Sequence, residues 1–333
     1  MKDSMFLIVI LIYVGLSFLF SLPKVLDKRK KGTYKNKNIN VSNSYSNLAL
    51  SMIKNHKEFR KYRIRYYLTR VLGIVFNVLL IVSIVVKPKS QTITNFILVL
   101  LPLDFILVYI ITKDKKVIYE EILPKIIGEY MEGLKYNHAK GMTEKSYRDS
   151  GFGKFTYFHS EDLIKGSVFG TDFMLSEVLV QDDTRVYQRK SFENNFFKGT
   201  FAEVNLKKAY NGDLSICSKK LRLFRNNSLL FVDNTEFDQL FDAFASNHVY
   251  ALSLLTPDVT SKMVDLYNET GILAEYRLLQ NKLYIRFFTE NIFAFRFSTA
   301  KREAKLIGGF LALLDGMVNI IYNIANEVER FDA

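Results

Sequence analysis

Three long stretches with almost no charge lie within the first 112 residues of this 333-residue chain. Residues 5–22 and 71–86 are uncharged, and residues 93–112 are interrupted only by Pro102 and Asp104. A helix needs about 20 apolar residues to cross a bilayer, and shorter runs can cross when flanking cations reach the interface. The pattern predicts transmembrane helices. The second and third runs should form a helical hairpin, because only a few residues connect them.

The first run has a second interpretation as a cleaved secretory signal peptide. Signal peptides carry positive charge before the apolar run and small residues at a cleavage site after it. Here the cations follow the run, and no clear small-x-small site precedes Pro23. These features favour an uncleaved anchor over residues 1–22, and the signal peptide remains the alternative.

The net charge of +12 is concentrated in one segment. Residues 23–70 contain 14 Lys and Arg against two acids, and the rest of the chain is neutral. Basic loops stay in the cytoplasm, so the N-terminus and the hairpin tip are expected outside, with the C-terminal domain inside. The charge therefore predicts a multi-pass protein of the cell membrane with a lipid partner and no nucleic-acid partner. The single cysteine, Cys217, agrees with a cytoplasmic domain.

Asp104 is the one ionisable residue within a predicted span. A charged carboxylate in the hydrocarbon costs about 2.5–3.5 kcal/mol, so such a residue suggests a function, for example in a transporter subunit. The alternative is a carboxyl group that stays protonated or bonds to a neighbouring helix. The cost of the charge favours this second interpretation.

Four regions follow from these patterns. They are an anchor (1–22), a basic cytoplasmic linker with an amphipathic segment (23–70), a transmembrane hairpin (71–112) and a cytosolic domain (113–333). Residues 28–46 are polar and typical of a flexible linker. Residues 47–69 are either a basic helix on anionic headgroups or a plain helical lead-in to the second span.

The cytosolic domain is predicted to be α+β, with a mostly antiparallel sheet and flanking helices. Apolar spacing predicts a helix over 116–135, a loop over 137–155, and a long helix over 302–329 for which a fourth membrane span is the alternative. Asn234 and Thr256 are predicted helix N-caps, and Gly271 a helix end. The predicted strands are 164–170, 173–181, 196–205, 214–218, 228–232, 250–255, 273–279, 282–288 and 292–297.

The candidate functional cluster consists of His159, Glu161, Asp162 and Glu177. Two carboxylates near an imidazole can serve acid–base catalysis if they converge. The alternative is a strand entry whose carboxylates bond to backbone amides or pair with cations. No nucleophile or metal is evident for the cluster to serve, which favours the structural interpretation.

Other chemistry finds little support in the sequence. The four histidines do not share a metal-binding spacing and Cys217 has no partner, so no metal is predicted. Gly151 and Gly153 lack the third glycine of a dinucleotide fingerprint, and no cofactor is predicted. Gly199, within a strand, predicts a bulge or a close backbone approach rather than a ligand groove.

Five short motifs occur in a distinctive order after Ser160. They are Glu161-Asp162-Leu163-Ile164-Lys165-Gly166, Ser176-Glu177-Val178, Phe197-Lys198-Gly199-Thr200-Phe201, Glu236-Phe237-Asp238-Gln239-Leu240-Phe241 and Leu254-Leu255-Thr256-Pro257. With the preceding hairpin, this succession resembles a bacterial family called domain of unknown function 3137 over roughly residues 70–330. The resemblance implies a bacterial membrane protein with an α+β cytosolic domain, without an established activity or catalytic residues. It also implies a partner of the LemA type, because family members are often encoded near such membrane proteins.

The sequence favours a non-enzymatic binding or scaffold module at the inner face of the membrane, with a protein partner or a second copy of the chain bound there. The alternative from another class is a membrane-associated hydrolase or transferase that uses Glu161, Asp162 and Glu177.

Overall fold

A computed structural model describes residues 42–86, 91–181, 197–221, 228–289, 292–293 and 300–330. The predicted first span and the hairpin tip lie outside these residues. The described chain forms two compact units, which are treated separately below. One consists of residues 56–122. The other consists of helix α1 (Asn43–Asn55) together with residues 123–330.

The first unit is a pair of helices packed against each other, α2 (Lys57–Val86) and α3 (Gln91–Val117). The buried carboxylate of Asp114 on α3 accepts two hydrogen bonds from the Arg65 guanidinium on α2, with Nε to Oδ2 at 2.8 Å. Such a bidentate pair fixes two planar groups in one orientation. It therefore joins the two helices at one level. Helix α3 continues through Pro102 and Asp104, and the Asp104 side chain lies outside the description.

The second unit alternates short helices and strands along the chain. Its elements are α4 (Leu123–Tyr130), β1 (Lys135–Asn137), α5 (Glu144–Asp149), β2 (Tyr157–Val168), β3 (Thr171–Gln181), β4 (Phe197–Asn205), β5 (Asp213–Ser218), β6 (Ser228–Leu230), α6 (Thr235–Leu240), β7 (Phe241–Ala245), α7 (His248–Leu254), α8 (Pro257–Thr270), β8 (Leu273–Leu279), β9 (Lys282–Phe288) and α9 (Ala300–Arg330).

The strands form one nine-stranded sheet in the order β1-β2-β3-β4-β9-β8-β5-β7-β6. Every pairing described is antiparallel. The predicted α+β class with an antiparallel sheet and flanking helices is confirmed. The β8–β9 hairpin lies between β4 and β5, so it joins the two halves of the sheet.

The long C-terminal helix α9 packs against α1, α8 and α7 within the second unit. By length and composition alone it is long and apolar enough to cross a membrane, and it is the one such helix found where the side chains are described; parts of α2 and α3 lie outside that description. Because 67% of its most apolar stretch is buried inside the protein, the packing accounts for its composition without a fourth span. A Cβ on Gly308 would lie 2.9 Å from the Tyr45 carbonyl group, so α1 approaches α9 closely there.

Local signals in the sequence are confirmed where they depend on a few neighbouring residues. The Asn234 side chain accepts a hydrogen bond from the Phe237 amide at 3.0 Å and caps α6. Helix α8 begins at Pro257 and ends before Gly271, which is left-handed as a helix C-terminus prefers. The predicted hairpin at Gln280 and Asn281 connects β8 to β9.

Several predicted elements were wrong. The helix predicted over 116–135 ends at Tyr130, after a π-helical turn at Ile118–Ile122. The loop predicted over 137–155 contains α5, and the strand predicted over 250–255 is helix α7. A short apolar run cannot be assigned by periodicity alone, and the Asn247 cap decides for helix there. Ile292 and Phe293 form a turn, and the rest of that predicted strand lies outside the description.

An aromatic cluster with a cation inside fills one part of the core. Arg286 on β9 has its guanidinium carbon 4.4 Å from the Phe152 ring centroid and 5.1 Å from that of Phe197. Its Nη1 donates to the Tyr147 hydroxyl at 3.1 Å, and its Nη2 donates to the fully buried carboxylate of Glu275 on β8. The buried charge is therefore both paired and stacked on rings.

Gly199 on β4 stands where another backbone comes close. A Cβ at this position would lie 2.1 Å from the Phe287 carbonyl oxygen. The predicted close approach is confirmed, and it explains why a side chain is excluded from this strand position.

Candidate functional site

The site is built on a β-bulge in β2. Glu161 pairs with Glu177 on β3, but the next paired residue is Ile164, opposite Leu175, so β2 carries an extra residue here. Asp162 within the bulge adopts a left-handed backbone conformation with φ of 61°. Aspartate tolerates this region better than most residues. In an unbroken strand, the side chains of Glu161 and Asp162 would point to opposite faces of the sheet. The bulge instead brings both carboxylates to the same side of the strand.

Asp162 is almost completely buried, at 3% exposure, and is held by side chains from and beside β1. Its Oδ1 accepts a hydrogen bond from the Tyr136 hydroxyl and lies 2.6 Å from Nδ1 of His138. The Asp162 amide donates to the His138 carbonyl at 3.2 Å. These contacts fix both the backbone and the carboxylate of the bulge.

Glu177 is also buried, at 8% exposure, and faces the same place from β3. Burial raises its pKa to about 8, and the nearby charge of Asp162 acts in the same direction. Its Oε1 accepts the backbone N–H of Phe293 at 3.4 Å, which acts in the opposite direction. Glu177 is therefore largely protonated at neutral pH, while it holds the segment that follows β9.

Glu161 and His159 lie at the exposed side of the cluster. Nε2 of His159 is 3.6 Å from Oε2 of Glu161, and about half of each side chain is accessible to solvent. The structure therefore gives the cluster a buried end, Asp162 and Glu177, and an accessible end, Glu161 and His159.

The three carboxylates converge closely enough to act together. One oxygen from each of Glu161, Asp162 and Glu177 lies within 4.8 Å of the others. Carboxylate oxygens are the ligands that hard divalent cations prefer, so these residues could hold such an ion. The same closeness contributes to the raised pKa of Glu177, because the nearby charges of Asp162 and Glu161 oppose its ionisation.

Sequence reasoning named four residues of this place and missed Tyr136 and His138. Tyr136 belongs to a three-residue strand, 26 residues before Asp162, and His138 to the turn after it, 24 residues before Asp162. No local pattern marks such a contact, because it depends on how β1 pairs with the bulged strand. The predicted intramembrane acid, Asp104, belongs to the other unit.

The comparison with protein families is decisive for the region that begins at β4. Residues 195–325 match the family described as "Protein of unknown function (DUF3137)". This part of the chain matches the DUF3137 family. The match includes the motifs at residues 197–201, 236–241 and 254–257, as the resemblance implied. The motifs around Glu161 and Glu177 precede the matched residues, so the carboxylate cluster lies outside the matched DUF3137 region.

Other comparisons add little to the DUF3137 assignment. No curated protein matches the chain. Among solved structures, the crystal structure of the mycobacterial trehalose monomycolate transport factor A, TtfA, is similar at 13% identity. The alignment covers 59% of this chain and 97% of that one, with a TM-score of 0.29, which is too low to indicate a common fold.

Proposed function

We propose that this chain is a membrane-anchored binding module whose α+β unit holds a partner at the cytoplasmic face. The observation that carries the anchor is the apolar surface of α2 and α3. Twelve large apolar side chains there are between 38% and 66% exposed: Val71, Leu72, Ile74, Val75, Val78, Leu79, Val82, Leu103, Phe105, Ile106, Val108 and Tyr109. A contiguous patch of this kind is unfavourable in water and is the surface that lipid tails cover.

The dimensions of the helices support the same proposal. Helix α2 has 30 residues and is therefore about 45 Å long, which exceeds the roughly 30 Å hydrocarbon core. Its first 14 residues carry the cations and its remainder is apolar, so the excess length lies on the basic side. The lysines that end α3, Lys113, Lys115 and Lys116, mark the same side as cytoplasmic.

Cysteine labelling tests the anchor and its orientation. Cys217 is buried and is the only cysteine in the chain, so the labelling signal should come almost entirely from an introduced cysteine. We expect Lys89→Cys at the hairpin tip to react with a membrane-impermeant maleimide in intact cells. Lys154→Cys, at an exposed position of the α+β unit, should react only after permeabilisation. The reverse pattern would overturn the orientation, and release of the protein by alkaline carbonate would overturn the anchor.

The binding role has a separate test. We propose a LemA-type membrane protein as the first partner to examine, with a second copy of the chain as the other candidate. Co-purification from detergent-solubilised membranes should survive Glu161→Ala and be lost when residues 113–333 are deleted. Loss in both variants would instead assign the contact to the carboxylate cluster.

A second candidate function is a membrane-associated hydrolase or transferase. The specific observation in its favour is the convergence of Glu161, Asp162 and Glu177, since splayed carboxylates could not cooperate. Turnover of any substrate class by the full chain, abolished by Glu161→Ala but not by Glu144→Ala on α5, would establish this function. A binding module is expected to show no such turnover.

A further inference from the structure

One side of helix α2 changes its chemistry along the helix axis. Lys57, Arg60 and Lys61 are exposed at its start, and Ile64, Tyr67 and Leu68 are 44–57% exposed in the next two turns. These residues are spaced by three and four, so they lie on one face. We call these six residues the basic-aromatic stripe. It continues directly into the exposed apolar residues that begin with Val71.

The opposite face of the same segment is packed. Phe59 is fully buried, Tyr66 is 9% exposed and Thr69 is 5% exposed. The segment is therefore held in a defined rotation about its axis, with the basic-aromatic stripe turned outward. The packing of the opposite face therefore holds the three cations together on one exposed side of the helix.

Further cations stand at the same level. The Arg65–Asp114 pair joins α2 and α3 there, so the exposed Lys113 and Lys116 lie within one turn of that level. Asp114 is buried and paired with Arg65, so it offers little negative charge outward. The one acid among residues 57–70 is Glu58. Lys116 lies 3.8 Å from the exposed Glu120, so the net positive charge of this level comes mainly from the stripe cations and Lys113.

We propose that the basic-aromatic stripe binds the headgroups of anionic phospholipids, and this inference rests on the membrane anchor proposed above. The argument is charge complementarity at the level where the helix surface turns from cationic to apolar. Aromatic and long cationic side chains are the types that settle between headgroups and acyl chains. Each cation near an anionic surface raises local affinity severalfold, and neighbouring cations act together.

A single tryptophan reports on the lipids beside the stripe. The chain contains no Trp, so the full chain with Tyr67→Trp has one such fluorophore. It is reconstituted in vesicles of equal parts phosphatidylglycerol and phosphatidylcholine, in which one or the other lipid carries brominated acyl chains. We expect quenching to show at least about threefold enrichment of the anionic lipid, and less at high salt.

Charge-removing variants distinguish a specific effect of the stripe cations from an effect of the overall charge of the protein. Replacing the stripe cations together (Lys57→Gln, Arg60→Gln and Lys61→Gln) should bring the two lipids to parity. The matched control replaces three exposed lysines of the other unit, Lys140→Gln, Lys145→Gln and Lys154→Gln, and should preserve the enrichment.

The outcomes distinguish this inference from the proposal on which it rests. Equal quenching by the two brominated lipids in the parent chain overturns headgroup selectivity and leaves the anchor intact. Enrichment that survives the triple stripe replacement also overturns the assignment to these residues. If neither brominated lipid quenches the tryptophan, the proposed membrane anchor is itself overturned.

Discussion

Glu177→Gln should stabilise the α+β unit by about 3–5 kcal/mol at about pH 9, with the gain vanishing below about pH 4. The side chain is buried beside Asp162, and its pKa is raised from 4.5 to about 8. Glutamine keeps an oxygen that can accept a hydrogen bond from the Phe293 amide, but it carries no charge. The substitution therefore removes the cost of ionising a buried carboxyl group while it leaves the contact in place.

The direction follows from proton binding in the two states. Below pH 4.5 the carboxyl group is protonated in both the folded and the unfolded chain, so it has no effect on stability there. Between pH 4.5 and about 8 the folded protein retains a proton that the unfolded chain has lost. The contribution of this group to stability therefore falls through that window and becomes level above it.

The measurement is denaturant unfolding of the full chain in detergent micelles, followed by the near-ultraviolet signal of its tyrosines, with a chelator present to exclude divalent cations. Glu144→Gln on α5 is the control, because its carboxylate is 52% exposed and does not belong to the cluster, so its loss should change stability little. A difference between Glu177→Gln and the parent chain that does not vary with pH would contradict the prediction.

Removing one partner of the Arg286–Glu275 pair should cost about 3–5 kcal/mol of stability. Arg286→Met leaves the Glu275 carboxyl group without the Arg286 cation at a position with no solvent exposure, and it also removes the cation from the faces of Phe152 and Phe197. Glu275→Met leaves the guanidinium buried without its counter-charge. Both single variants should unfold at markedly lower denaturant concentration.

The double variant distinguishes the loss of the ion pair from the cost of leaving one unpaired charge buried. Arg286→Met combined with Glu275→Met should be more stable than either single variant, because no charge remains buried. Lys262→Met is the control, since the Lys262–Asp265 pair is exposed at 3.2 Å and should contribute less than about 1 kcal/mol. A double variant that is as unstable as the sum of the singles would contradict this account.

The sequence predicted the parts of the fold that depend on short-range chemistry. Caps such as Asn234, the boundary at Gly271 and the hairpin at Gln280 are decided by a few adjacent residues, and the structure confirms them. Helix α7 was predicted as a strand because its apolar run has no clear period. Helix α5 was missed because six residues give too little pattern to recognise.

The candidate site was predicted only in part for a related reason. The order of Glu161, Asp162 and Glu177 in the sequence suggested a cluster, but their convergence depends on the bulge and on the register between β2 and β3. Tyr136 and His138 reach Asp162 through strand pairing that no single sequence displays. The chemical role of the cluster stays a prediction.

The position of the β8–β9 hairpin has a consequence for biogenesis. Strands β4 and β5 each use one edge to pair with this hairpin, and it is made after all the other strands described. Until residue 288 leaves the ribosome, the nascent chain presents one open edge on β4 and one on β5, whose unpaired backbone groups are templates for aggregation. Chaperone demand and sensitivity to truncation should therefore concentrate in the last stretch of synthesis, when the sheet can close.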